Sequence, residues 1–261
     1  MVAASLPSRK TMHRFYLPPD ECRGTSLMLR GREAHHALHV LRVREGERVT
    51  VLNGVGSELQ CEITGQMREA LPLRVLNRKV FPAPLCAITL LQAIPKGKII
   101  ESIIQKATEL GVTRIVPILS KRVVTHLDSG SAEIKTDKWQ QVAVEAIKQC
   151  GSAWLPKVET PVTPENFLAR NEQFELPLVG CLESDSRHPR VWFERFFAEH
   201  RRLPKSIAVW VGPEGDFTNA EYAAIKGTGA LPITLGPLVL RVETAATYCL
   251  SIINYELQAH H

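Results

Sequence analysis

Two segments near the C-terminal end concentrate residues that let a backbone approach a ligand. The first, Val211-Gly212-Pro213-Glu214-Gly215-Asp216-Phe217, flanks a Pro-Glu pair with glycines. Glycine removes the side chain that would hold a ligand off, and proline stiffens the turn. The second, Leu235-Gly236-Pro237-Leu238-Val239-Leu240-Arg241-Val242-Glu243-Thr244, repeats the Gly-Pro step and adds a guanidinium and a carboxylate. Neither contains G-x-G-x-x-G, and no G-x-x-x-x-G-K-[ST] occurs in the chain, which removes the ordinary dinucleotide and triphosphate readings. Adenine suits such loops better, because exposed amide and carbonyl groups read its edge without side chains. Either loop alone is equally well a tight turn. Two of them, separated by one short helix and one strand, point to a common ligand.

The elements that must carry these loops follow from periodicity. From Pro84 onward, continuous apolar runs alternate with helical spacing. Cys86–Ala93 reads as a strand buried on both faces. Ile99, Ile100, Ile103, Ile104, Ala107 and Leu110 form a helix stopped at Gly111, and Val112–Leu119 completes a β-α-β unit. A second helix spans about Ala132 to Gln149. Strands follow at Leu176–Leu182, Ile207–Val211 and Leu231–Leu235, with helices at Pro189–His200, Thr218–Gly227 and Val242–Leu257. Thr218 and Glu221 have the spacing of a capping box, so a helix begins directly after the first Gly-Pro loop. The class is α/β with a mainly parallel sheet, and ligands of such sheets bind outside the carboxyl ends of the strands, where both loops lie.

The first third differs. His13 to Val80 holds short alternating runs: Arg14–Leu17, Arg48–Leu52, Glu58–Thr64 and Leu73–Val80 read as strands, with Asn53-Gly54 as a hairpin turn and one helix over about Gly31 to Leu41. This pattern predicts a small β-barrel domain over residues 12–81, joined by Phe81-Pro82-Ala83-Pro84 to a second domain over 85–258. Residues 1–84 carry 13 Lys+Arg against 8 Asp+Glu, while the remainder carries 19 of each. The net charge of +5 is thus concentrated in the first domain, as expected of a polyanion-facing module, although a merely soluble basic surface gives the same count. Six scattered cysteines without a C-x-x-C pair read as reduced thiols in a cytoplasmic protein. No apolar run reaches the roughly 20 residues of a membrane span. Met1 to Thr11 lacks the apolar core of a secretory signal and reads as an extension before Met12, or else as transit-peptide remnant; His260 and His261 read as tag residue.

At this point several motifs converge on one family. Gly212-Pro213-Glu214-Gly215, Leu235-Gly236-Pro237, Leu240-Arg241-Val242-Glu243-Thr244-Ala245, Gln105–Val112 and Gln149-Cys150-Gly151 resemble the signature of the RsmE family, and His13-Arg14-Phe15-Tyr16 with Val40-Leu41-Arg42 is similar to its N-terminal module. These are S-adenosylmethionine-dependent uridine-N3 methyltransferases of small-subunit (16S) ribosomal RNA, in the SPOUT superfamily. The resemblance implies a PUA-like N-terminal domain, a C-terminal domain with a trefoil knot, and a homodimer acting on 16S RNA within the small subunit. It carries cofactor contacts onto Gly212, Glu214, Leu235, Gly236 and Leu240 and their neighbours Val211, Pro213, Gly215, Arg241, Thr244 and Ala245. This chain departs from the pattern at Ser152, where arginine is usual, at Asp216, where glycine is common, and at Leu238, where a basic residue is common.

Methylating uridine N3 requires that its proton be removed and its lone pair be aligned with the methyl donor. Arg241 is the expected stabiliser of the anionic base or the RNA backbone, and Glu243 its orienter or the proton acceptor. A structural Arg241–Glu243 ion pair opening the last helix is the competing reading. RNA contacts are expected from His13 and Arg14, extended by Arg30, Arg32, Arg42 and Arg44, with Lys121, Arg122 and Gln149 bordering the cleft. Of His35, His36 and His39, the first and last share a helix face at i and i+4, but without H-E-x-x-H or a nearby cysteine the three read as packing or RNA contacts and not as metal ligands. Two rivals stay open: a non-catalytic ribosome-assembly protein that keeps the fold, and a knotted enzyme acting on ribose or a transfer-RNA base.

Overall fold

The computed structural model describes residues 13–122, 129–182 and 185–258, with the side chains of 129–131 excepted; the extension before Met12 and the terminal histidines lie outside these. Two compact units are present. One comprises residues up to Ala83 together with Ile147–Trp154, the other Pro84–Ala146 and Leu155 onward.

The first unit holds β1 (Arg14–Tyr16), β2 (Ser26–Arg30), α1 (Gly31–His35), β3 (Arg48–Leu52), β4 (Ser57–Ile63) and β5 (Ala70–Val80). They form one five-stranded sheet in the order β1-β3-β4-β5-β2, with β1 parallel to β3 and the other pairs antiparallel. Phe15 from one edge strand and Leu27 and Leu29 from the other join the same buried cluster as Val49, Val51, Leu59 and Leu71. The sheet therefore wraps one core, as a barrel does, although among the described residues no ladder joins β1 to β2.

Sequence periodicity misses β2 and truncates β5, because Pro72 reads as a breaker. The Pro72 carbonyl still accepts from the Thr64 amide at 3.0 Å, but proline has no amide to return the bond, and the regular β4–β5 ladder ends at Ile63–Leu73. The expected helix over Gly31–Leu41 is α1 followed by a wider π-helical turn, His36–Leu41, which ends on Arg42 at φ +52°. The β3–β4 hairpin turns through a longer loop than Asn53-Gly54 alone. The Asn53 side-chain oxygen accepts from the Val55 and Ser57 amides at 3.0 and 2.8 Å.

The second unit holds β6 (Ala87–Ala93), α2 (Ile99–Glu109), β7 (Arg114–Ile118), α3 (Ser129–Cys150), β8 (Lys157–Val158), α4 (Pro164–Leu168), β9 (Leu176–Gly180), α5 (Pro189–His200), β10 (Ser206–Val211), α6 (Asn219–Gly227), β11 (Leu231–Ile233) and α7 (Val242–Gln258). The end of α3 belongs to the first unit. The six strands form an all-parallel sheet ordered β11-β9-β10-β6-β7-β8, the class expected. Strand side chains alternate between two cores. Ile207, Val209 and Val211 of β10 pack with α2 and α7, whereas Ala208 and Trp210 pack with Phe167 of α4 and Tyr222 and Ile225 of α6. Both faces are covered, which is why these strands read as unbroken apolar runs. Among the described residues no helix is long and apolar enough to cross a membrane.

Candidate functional site

The reversal in strand order between β9, β10 and β6 opens a crevice at the carboxyl ends of the strands, as in other open α/β sheets. Three loops meet there around a cavity of about 440 Å³, a size suited to a nucleoside-sized ligand. The Gly-Pro loop after β10 contributes Val211, Gly212, Pro213, Glu214 and Asp216. The Gly-Pro loop after β11, running into α7, contributes Leu235, Gly236, Leu238, Val239 and Leu240, with Arg241, Val242, Glu243 and Ala245. The two segments singled out by residue type therefore face one space.

Gly215 and Thr244 fall outside its wall. The Gly215 carbonyl accepts from the Arg122 guanidinium, and Thr244 points to solvent. The third wall is Gly180, Cys181 and Leu182, with Ile99 and Cys249 closing the interior. Sequence reasoning misses this wall because the apolar run Leu176–Leu182 reads as strand throughout. The strand ends at Gly180, and its carboxyl end was the available signal.

Local chemistry holds these loops. Glu214 accepts a hydrogen bond from the Lys96 amide at 3.0 Å, tying the loop after β6 to the loop after β10. The capping box is formed: Thr218 and Glu221 each accept from the other's backbone amide. Glu221, only 2% exposed, also accepts from the Lys121 amide at 2.8 Å and the Ser120 hydroxyl at 3.3 Å. Burial pushes this carboxyl up, but the hydrogen bonds from Thr218, Lys121 and Ser120 outweigh it and hold the carboxyl below its ordinary value of 4.5.

Asp216 stands at φ +62°, where glycine is the easy choice. Its own Oδ1 accepts from the Phe217 amide at 2.9 Å, the local bonding that lets aspartate adopt a left-handed backbone. Gly236, at φ +106°, has open space where a side chain would stand.

Among the described residues, neither Arg241 nor Glu243 makes a side-chain hydrogen bond or an ion pair, so the structural pair considered above is not formed. Their backbone carbonyls are engaged, Arg241 by the Ala245 amide at 2.8 Å and Glu243 by the Thr247 hydroxyl at 2.7 Å. A cation and a carboxylate thus sit on the cavity wall with no structural task.

The chain is similar to proteins of known kind along nearly its whole length. A family model described as an RNA methyltransferase domain matches residues 82–254, and one described as an RNA methyltransferase PUA domain matches residues 29–75. Ribosomal RNA small subunit methyltransferase E of Bacillus subtilis is 32% identical over 235 residues, 87% of this chain and 89% of that protein. The chain belongs to the RsmE family. Among solved structures, a Legionella pneumophila protein in complex with bound SAM matches with a TM-score of 0.83 and 31% identity, covering 95% of this chain and 98% of that one. The Neisseria gonorrhoeae RsmE bound to S-adenosyl methionine matches with a TM-score of 0.80 and 27% identity, covering 94% and 97%.

The remaining expected contacts of this RsmE chain lie in three places. Arg30, Arg32, Arg42 and Arg44 are exposed along the segment from the end of β2 past the π-helical turn. Arg14 has a structural task. Its guanidinium donates to the carbonyls of Lys148 and Gln149 at 3.2 and 3.0 Å, inside the first unit, while His13 gives its carbonyl to the Thr50 amide. Gln149 is exposed beside that bond. Lys121 and Arg122 are exposed after β7, where Arg122 braces Gly215. Ser152 closes a small turn: its hydroxyl donates to the Trp154 carbonyl at 2.9 Å and accepts from the Trp154 amide at 3.1 Å. Leu238 is 72% exposed at the cavity rim.

Proposed function

We propose that this chain transfers a methyl group from S-adenosylmethionine to N3 of one uridine in 16S ribosomal RNA. The observation that carries the reading is the convergence, in a chain of this family, of both Gly-Pro loops, Arg241 and Glu243 on one cavity.

The wall suits this cofactor chemically. It is mostly apolar, offers backbone groups at Gly180, Gly212 and Gly236, and sets three carboxylates, Glu214, Asp216 and Glu243, against one guanidinium. That balance favours a sulfonium cation and disfavours a polyphosphate. Val211, Gly212, Pro213, Glu214, Leu235, Gly236, Leu240 and Ala245 are the residues to hold it. Bound S-adenosylmethionine supplies an electrophilic methyl group. The chain's part is to place uridine N3 in line with it and to manage the proton. Arg241 stabilises the negative charge spread over the pyrimidine carbonyl oxygens as the N3 proton leaves. Glu243, two residues along, takes that proton or orients Arg241. A cation fixed beside the reacting base stabilises that charge as it develops.

RNA is held by residues 12–81 acting as a PUA-like module through Arg30, Arg32, Arg42 and Arg44 with His13 and Arg14, and by Lys121, Arg122 and Gln149, while residues 85–258 act as the methyltransferase domain. The finer parts of the reading are a trefoil knot in the loops around α7, a homodimer, action on RNA within the small subunit, and work in the cytoplasm. Exposed Tyr248 and Tyr255 on α7, with Leu238 and Val239 nearby in sequence, support a second copy covering this region.

The direct test is to incubate the protein with S-adenosylmethionine and unmodified small subunits and to map reverse-transcriptase stops. N3 methylation blocks pairing, so one protein-dependent stop at a uridine is expected. Arg241→Ala is expected to lower turnover by about 10²- to 10³-fold; wild-type turnover in that variant sinks its assigned role.

A further inference from the structure

Two walls of the cavity are joined by one phenol. Tyr222 lies in the first turn of α6, its ring buried edge-on against Phe217 at 5.5 Å between centroids. Its hydroxyl lies 2.7 Å from Asp216 Oδ1 and 2.8 Å from the Gly180 carbonyl oxygen. Gly180 ends β9 and Asp216 lies in the loop after β10, and both line the cavity. One proton thus serves acceptors on two loops. Burial, with the Asp216 carboxylate next, drives the Tyr222 pKa far up, so the hydroxyl remains a donor at any working pH. The accepting oxygen is itself held in place. It also takes the Phe217 amide, and a Cβ on Gly212 would meet it at 2.6 Å, so it presses against the backbone of the first Gly-Pro loop.

We infer that Tyr222 and Asp216 are positioning residues that fix the separation of the Gly180 and Gly212 walls, and thereby the affinity for the cofactor, without taking part in the transfer itself. The inference rests on the reading of the cavity as the S-adenosylmethionine pocket.

The decisive variants are Tyr222→Phe, Asp216→Gly and Asp216→Asn in the full chain. They are compared by titration calorimetry with S-adenosylmethionine, by kcat and KM on small subunits, and by Tm. Tyr222→Phe keeps the ring and removes the bridge. Asp216→Gly keeps the left-handed backbone at no steric cost and removes the same bridge, so it carries the test if the tyrosine variant folds poorly. Both are expected to raise the Kd and KM for the cofactor about 5- to 20-fold with kcat within about twofold. Asp216→Asn keeps an oxygen that accepts the same bonds and loses only the charge, so it is expected to raise the Kd less than Asp216→Gly does. The double variant is expected to be no worse than either single one, because both remove one shared interaction. Wild-type affinity in Tyr222→Phe or Asp216→Gly overturns the latch, as does an effect confined to kcat. A wild-type protein that does not bind S-adenosylmethionine overturns the pocket reading and the latch with it, so the two failures are told apart.

Discussion

Gly151 illustrates how a single residue can be fixed by a partner far away in sequence. Its φ of +82° places it in the left-handed region, and a Cβ would stand 3.0 Å from the Arg14 guanidinium. Replacing it with alanine strains the backbone and displaces the cation that closes the carbonyls at the end of α3. Gly151→Ala is expected to cost about 1–2 kcal/mol, a fall in Tm of roughly 2–8 °C. Arg14→Ala combined with it is expected to cost less than the sum of the two, because they act on one contact; additive losses in thermal unfolding count against that coupling. None of this was legible locally, since spacing along a chain says nothing of a contact 137 residues apart. The Thr218–Glu221 box was legible, because both partners lie within one helical turn.

Among the elements, α6 shows where pattern reading holds and where it stops. Its start follows from the capping residues. What periodicity does not reveal is that Glu221 also closes the loop after β7 through the Ser120 hydroxyl and the Lys121 amide, so one carboxylate begins a helix and anchors a neighbouring loop. Glu221→Gln is expected to lose about 2–3 kcal/mol near neutral pH, since a buried amide cannot replace all of these charge-assisted bonds. The folded carboxyl lies below its unfolded value of 4.5, so its contribution is fully present above 4.5 and fades as pH falls through the folded value. The gap in Tm between wild type and Glu221→Gln therefore narrows as pH drops from 7 to below 4. A gap that stays constant with pH contradicts a carboxylate origin. Elsewhere, misreadings came from termini: β9 and β11 stop earlier than their apolar runs, and the residues beyond them line the cavity. Apolar residues around a ligand and apolar residues in a strand look alike in sequence.

For the molecule as a whole, the uneven charge makes a quantitative statement about RNA binding. If the basic first unit meets phosphates through four to six contacts, the logarithm of affinity falls against the logarithm of salt with a slope of about −3 to −4. Removing Arg30 or Arg44 reduces that slope by about 0.7 each and leaves calorimetric binding of S-adenosylmethionine unchanged. A flat salt dependence in filter binding or anisotropy rejects this footprint. The class of the fold and the two Gly-Pro loops that line one cavity were readable because both rest on short-range pattern. The composition of the first unit was not, because it gathers Ile147–Trp154 from a remote stretch: Arg14 on the Lys148 and Gln149 carbonyls, Glu33 on Lys148 at 2.8 Å, and the Trp154 indole on the Pro82 carbonyl at 3.0 Å. During synthesis this imposes an order of events. When Ala83 leaves the ribosome the N-terminal unit still lacks its last eight residues, and at roughly 5–20 residues per second they follow about 3–13 s later. For that interval the buried Lys148 site on Glu33 has no lysine, and the nascent unit is held only by its sheet and apolar core. A gene fragment cut at the Pro82-Pro84 connector freezes the protein in that unfinished state, so the excised barrel is expected to be less stable than the same residues in the full chain.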